Sequence, residues 1–176
     1  MILRRLTVPD EAQALAGHNE LAKENWEYLL QYKPEMSWSE YLELLNFEEK
    51  GEELPAGRVP ATFLIAEVNG SLIGRSSIRH TLNDFLLNVG GHIGYGVRPN
   101  YRRMGYAKEI LKQSLIYLRD LGLDRALVSC DDDNFASAKV IESQEGVLEN
   151  KVEYEGILKR RYWIDLSKGA ERSTLA

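Results

Sequence analysis

Between His92 and Lys108 the chain reads HIGYGVRPNYRRMGYAK, a stretch rich in groups able to hold an anion. Pro99 closes a short strand and sets a turn, and Arg102 and Arg103 add positive charge beside it. Gly105 removes a Cβ where an anion must approach the backbone closely, and Ala107 is small for the same reason. Ala107, Ile110, Leu111, Ser114, Leu115 and Leu118 then follow the spacing of one buried helical face, and Gly122 supplies a left-handed stop. A loop entering such a helix leaves several N–H groups unpaired at the positive end of the macrodipole, which is a phosphate pocket. Basic residues in a first turn oppose that dipole unless an anion compensates them.

The common phosphate motifs are missing. No GxxxxGK[ST] occurs, and no GxGxxG follows a strand with an acidic residue about 20 positions on. What fits is [Q/R]xxGx[G/A], here Arg102-Arg103-Met104-Gly105-Tyr106-Ala107, preceded by Val97-x-Pro99. This resembles the acetyl-CoA loop of the GNAT superfamily of N-acetyltransferases. The order of elements after it agrees: a strand over Arg125 to Cys130, then a helix opened by Asn134. The segment GGHIGYGVRPNYRRMGYA and the ending RRYWIDL resemble a bacterial subgroup of that superfamily.

The resemblance implies an α/β fold, with a mixed, mostly antiparallel central sheet of about seven strands and helices on both faces. It implies acetyl-CoA as co-substrate and no metal. The pyrophosphate is expected on the amides of Arg102, Arg103, Met104, Gly105, Tyr106 and Ala107, with Lys108 beside them. The pantetheine arm is expected to pair with the strand edge at Tyr95, Gly96 and Val97, and Asn134 and Ser137 match the family's NxxA/S cofactor element. For Asn134, a plain helix N-cap is an equal alternative.

For the chemistry, many members draw a leaving-group acid from a tyrosine on the last helix. The matching position here is Ile141, which leaves Tyr154, Tyr106 or solvent. The base position at the start of the central strand corresponds to Gly91, so His92, His80 on the neighbouring strand, or Glu67 takes its place as candidate. The run Asp131-Asp132-Asp133 reads as a solvated turn or a lure for a cationic substrate. Trp26, Tyr28, Tyr32 and Trp38 read as a substrate groove or as helix core. The histidines lack metal-ligand spacing, and Cys130 has no CxxC partner.

Composition bounds these readings. The 176 residues suit one N-acetyltransferase domain over 1–176; 44% are hydrophobic and 28% charged, an ordinary globular balance. There is no leader-like apolar region and no membrane-length apolar run, and the single cysteine suits a reducing cytoplasm. A net charge of −5 disfavours nucleic acid as a partner and favours cationic small molecules, a small cationic amine first among them, or basic peptides. An acetylated protein or peptide, or a silent acyl-CoA-binding module, are the alternatives. A monomer or a homodimer is expected, with Tyr162-Trp163-Ile164 in the last strand a candidate contact.

Along the chain, Ile2 to Leu6 reads as an edge strand, and a helix starting near Pro9 is expected to reach Leu30. Ser37 with Glu40 forms a capping box for a second helix with Trp38, Tyr41, Leu42 and Leu45 on one face. Thr62–Val68 and Ser71–His80 flank an Asn69-Gly70 hairpin turn. Leu82 to Val89 stays open between strand, loop and short helix. Val147–Tyr154 and Leu158–Leu166 are the last strands.

Overall fold

Asn69 and Gly70 both take positive φ, +49° and +79°, the backbone that a two-residue hairpin turn requires. They join β2 (Ala61–Val68) to β3 (Ser71–Arg79) in the computed structural model, which describes residues 1–167. β1 (Ile2–Arg4) adds outside β2 and β4 (Ile93–Val97) outside β3, giving the order β1-β2-β3-β4. A second sheet has the order β5-β7-β6, from β5 (Arg125–Asp131), β6 (Val147–Tyr154) and β7 (Ile157–Asp165). Every pairing is antiparallel.

The seven strands of the expected sheet thus part between β4 and β5, which share no ladder among the described residues. At the closed end of the gap the His92 N–H donates to the Leu127 carbonyl at 2.7 Å, and the Leu127 N–H donates to His92 Nδ1 at 2.9 Å. Beyond that clasp the two strands part.

Side-chain alternation sorts the helices onto two faces. Phe63 and Ile65 of β2 pack with Leu21, Tyr28, Tyr41 and Leu45, placing α1 (Glu11–Ala22) and α2 (Trp38–Lys50) on one face. Leu64, Ile78 and Ile93 pack with Leu111, Leu115 and Ile141, placing α3 (Tyr106–Asp120) and α4 (Phe135–Glu142) on the other. Ile110, Leu111 and Leu118 are fully buried, each contributing about 1.5–3 kcal/mol of apolar transfer. The capping box at Ser37 forms: its Oγ accepts the Glu40 N–H, and Glu40 Oε2 accepts the Ser37 N–H.

Two expectations change and one open segment is decided. α1 stops at Ala22, because Asn25 and Gln31 enter the left-handed region and the chain turns to bury Tyr28 and Leu29 beneath the sheet. A straight helix to Leu30 could not aim both inward with Trp26. The open segment resolves into a π-helical turn, Leu86–Gly90. β7 lies between β5 and β6, so Tyr162 and Ile164 are buried in the core and the strand offers no free edge to a partner.

Candidate active site

The segment that enters α3 presents its backbone to the outside. Arg103 and Gly105 take φ of +62° and +83°, which turns successive N–H groups to one side. The amides of residues 103 to 108 meet no acceptor among the described residues, and the first helical bond is Glu109 N–H to the Gly105 carbonyl. Arg102 is different: its N–H is taken by the Pro99 carbonyl at 3.2 Å, so the open set begins one residue later than expected. Its guanidinium is committed as well, to Glu24 at 2.6 Å and to the Val97 carbonyl at 3.1 Å, and it braces the loop. Arg103 and Lys108 form no ion pair among the described residues. A Cβ on Gly105 would touch nothing within 4 Å, so the space above it is open and its backbone angle is what demands glycine.

Four of these six residues, Arg103, Gly105, Ala107 and Lys108, line a cavity of about 410 Å³ that continues along β4. Tyr95, Gly96, Val97, Arg102, Arg103, Gly105, Ala107, Lys108, Asn134 and Ser137 all line it; Met104 and Tyr106 do not. β4 spends its β3-facing backbone on Arg75 and Ser77, which pair with Gly96 and Gly94. Tyr95 and Val97 therefore turn their main-chain groups into the gap, an edge able to accept an amide-bearing chain. Asn134 caps α4, its Oδ1 accepting the Ser137 N–H at 3.0 Å. The Tyr95 hydroxyl lies 3.0 Å from Ser137 Oγ, and burial pushes its pKa up to about 12.

The opposite face of β3 and β4 has another character. Directly paired residues share a face, so Arg75, Ser77 and Arg79 lie with Ile65, Phe63 and Ala61 on the α1/α2 side, and so do Gly94 and Gly96. Arg75 is 4% exposed beneath Trp26, its guanidinium 4.1 Å from that ring. Gly96 makes this possible, because a Cβ there would come within 2.4 Å of Trp26. Arg75 donates to the Gly94 and Glu27 carbonyls, each at 2.9 Å, and its Nε has no partner among the described residues. Burial pulls its pKa down to about 9, so it stays charged at neutral pH. Arg79, lowered in the same way, has one long bond to the Gly90 carbonyl at 3.4 Å. Sequence reasoning missed both arginines. Their spacing of four within a strand, which puts both on one face, was the available signal.

The other candidates separate. His92 is buried at the clasp; because Leu127 donates to Nδ1, the neutral ring carries its proton on Nε2, and burial pushes its pKa down to about 4. His80 faces the other way, its Nε2 2.8 Å from Thr62 Oγ1 and its ring beside Tyr117 of α3. Glu67 lies two strands from β4, ion-paired to Arg4 at 2.5 Å and accepting the Gly70 N–H. Tyr154 ends β6 in edge contact with Phe85. None of the four lines the cavity. Ile141 is core. Asp131 is paired to Lys159 and Asp132 to Arg160 and Lys151, so two of the three aspartates are neutralised and offer a cation little. Tyr28 and Trp38 are core, the former bonded to the Gly74 carbonyl. Buried Cys130 packs in the core, its thiol pKa raised by burial. Among the described residues no cluster of His, Cys, Asp and Glu could hold a metal, and no helix is long and apolar enough to cross a membrane.

A sequence model of the acetyltransferase (GNAT) domain matches residues 1–145. No curated protein matches by sequence. Among solved structures, a mutant spermidine N-acetyltransferase from Vibrio cholerae is similar over 98% of this chain and 99% of its own, at 20% identity and TM-score 0.67. The ribosomal-protein-S5-alanine acetyltransferase of Vibrio fischeri matches over 94% and 92%, at 15% identity and TM-score 0.67. A Salmonella typhimurium acetyltransferase, solved with acetyl-CoA, matches over 95% and 94%, at 14% identity and TM-score 0.63. At these identities the likeness is one of fold.

Proposed function

Because the chain belongs to the GNAT acetyltransferase family, whose members use acetyl-CoA as co-substrate, we propose that it is an N-acetyltransferase acting on a primary amine of a small molecule, with residues 1–176 as one catalytic domain. The observation that carries this is the run of open amides from 103 to 108, continuous with the unladdered edge of β4 at Tyr95 and the Val97 N–H, the Val97 carbonyl being held by Arg102. In this reading the amides and the uncommitted Arg103 and Lys108 hold the coenzyme's diphosphate at the head of α3. The pantetheine amides pair with the β4 edge, and Asn134 and Ser137 border its path.

The acetyl carbonyl carbon then lies in the gap, and the amine enters from the α1/α2 side to attack it in a ternary complex. The C–N bond forms, the C–S bond breaks, and the coenzyme leaves as thiolate. The Tyr95 hydroxyl is suited to stabilise that thiolate. A phenol held at about 12 is a weaker acid than a thiol near ~8.5, so it serves as a hydrogen-bond donor, not a full proton donor. His92 serves as the clasp and not as base, because the lone pair a base would use accepts the Leu127 N–H. Freeing a neutral alkylamine of pKa ~10.4 at pH 7 costs about 4.6 kcal/mol, and water in the cleft takes that proton.

Release of free thiol from acetyl-CoA, measured across small amines and peptides, tests the reading. Acceptor-dependent release with small amines is expected. Release confined to peptides moves the function to protein acetylation. Coenzyme binding with no acceptor-dependent release leaves a silent acyl-CoA-binding module.

A further inference from the structure

We infer that the acceptor is a small amino acid or close analogue, whose carboxylate is held by Arg75 and Arg79 over Gly94 while its amine points into the gap. This rests on the transferase reading above and names its acceptor class. Three guanidinium nitrogens converge on one spot: a point at the Cβ position of Gly94 lies 3.3 and 3.5 Å from Nη1 and Nη2 of Arg79, and 3.6 Å from Nη1 of Arg75. Neither arginine has a carboxylate partner among the described residues, and the buried Nε of Arg75 has no partner at all. Two desolvated like charges side by side are unfavourable unless an anion joins them, and a carboxylate is the bidentate match for a guanidinium. Other arginines nearby are already answered, Arg58 by Glu48 and Arg98 by Glu20.

The position suits the reaction. Gly94 precedes Tyr95, where the free edge of β4 begins, and adjacent Cα atoms are about 3.8 Å apart. An amine one or two carbons from its carboxylate spans that step. A cavity of about 160 Å³ reaches Arg79 and Ser77; Leu30, Phe85 and Leu86 give it an apolar wall for a modest side chain, and the Glu48–Arg58 ion pair closes another side. The same positive charge disfavours an ammonium beside it, which helps supply the neutral nucleophile that no side-chain base provides. A polyamine, with no anion to offer, would leave both guanidiniums unanswered.

The test compares each amino acid with its decarboxylated amine, leucine with 3-methylbutylamine and phenylalanine with phenethylamine among them, and includes spermidine. Thiol release is followed with the full chain and acetyl-CoA. At least a tenfold higher kcat/KM for the carboxylate-bearing member of a pair is expected. Arg79→Gln should raise KM for that member at least tenfold and remove the preference, with coenzyme Kd by calorimetry within twofold of the parent; Arg79→Lys should restore part of it. Equal or better turnover of the decarboxylated amines or spermidine overturns the inference and leaves the transferase reading standing. So does a preference untouched by Arg79→Gln in a variant whose melting temperature is unchanged. Absence of release with every acceptor removes both.

Discussion

The two sides of β4 solve different problems with different parts of the chain. On the α3/α4 side the site is made of backbone: open amides at a helix head and an unladdered strand edge. Its residues lie in two short stretches, 95–108 and 134–140, and most side chains there matter for being small or out of the way. On the α1/α2 side the proposed acceptor site is made of side chains, two arginines from β3 with walls from α2, from the turn after α1, from the loop before β2 and from the π-helical turn. The backbone side fits a ligand that the whole family shares, and the side-chain side is free to vary with the acceptor. A net charge of −5 over the chain thus coexists with two arginines, Arg75 and Arg79, that have no direct ion pair among the described residues, and local charge counts for more than the net value in what a site binds.

The sharpest way to break this division is Gly105→Asp. It forces a side chain into a φ of +83° and puts negative charge among the open amides, so coenzyme Kd should rise on the order of a hundredfold by calorimetry, about 2.7 kcal/mol. Unchanged affinity would remove the helix head from the coenzyme side.

His92→Gln attacks the clasp that sets the gap between the two sides. It leaves the buried Leu127 N–H poorly matched, and a loss of about 2 kcal/mol is expected in denaturant unfolding. The pH dependence follows from the direction of the shift. Folding holds His92 near 4 against an ordinary 6.5, so the unfolded chain binds the extra proton first. The His92 contribution is complete above about 6.5, is lost progressively as pH falls toward about 4, and should vanish from the stability profile of the variant.

Tyr95→Phe should lower kcat about tenfold through loss of a donor to the thiolate, while the acceptor KM stays within twofold. A matching fall in coenzyme affinity instead would make the hydroxyl a binding group. Gly96→Ala has the smallest expected effect, about 1 kcal/mol of stability, because its Cβ displaces Trp26 from Arg75. Its acceptor KM should move more than its coenzyme Kd, and the reverse result would place Trp26 on the coenzyme side.

Legibility followed the same division. The loop from Arg102 to Ala107 was readable because a helix head, a left-handed glycine and a small residue are local requirements written in consecutive positions. Asn134 was readable as a cap for the same reason. Arg102 was misread as a free cation because Glu24, its partner, is 78 residues away. His92 looked like a base until Leu127, 35 residues on, was seen to occupy its lone pair. Asp131 and Asp132 looked solvated until β7 brought Lys159 and Arg160 against them.

The sequence by itself determined the hairpin, the faces of α2 and α3, the capping box at Ser37 and the left-handed glycine at the head of α3, since each depends on periodicity and on backbone angles set by near neighbours. Only the tertiary structure decided that the sheet divides at β4, that β7 sits inside its own sheet, and that two arginines converge over Gly94. Those outcomes depend on register between strands far apart in the chain, and a polar side chain keeps its charge or spends it according to what that register sets beside it.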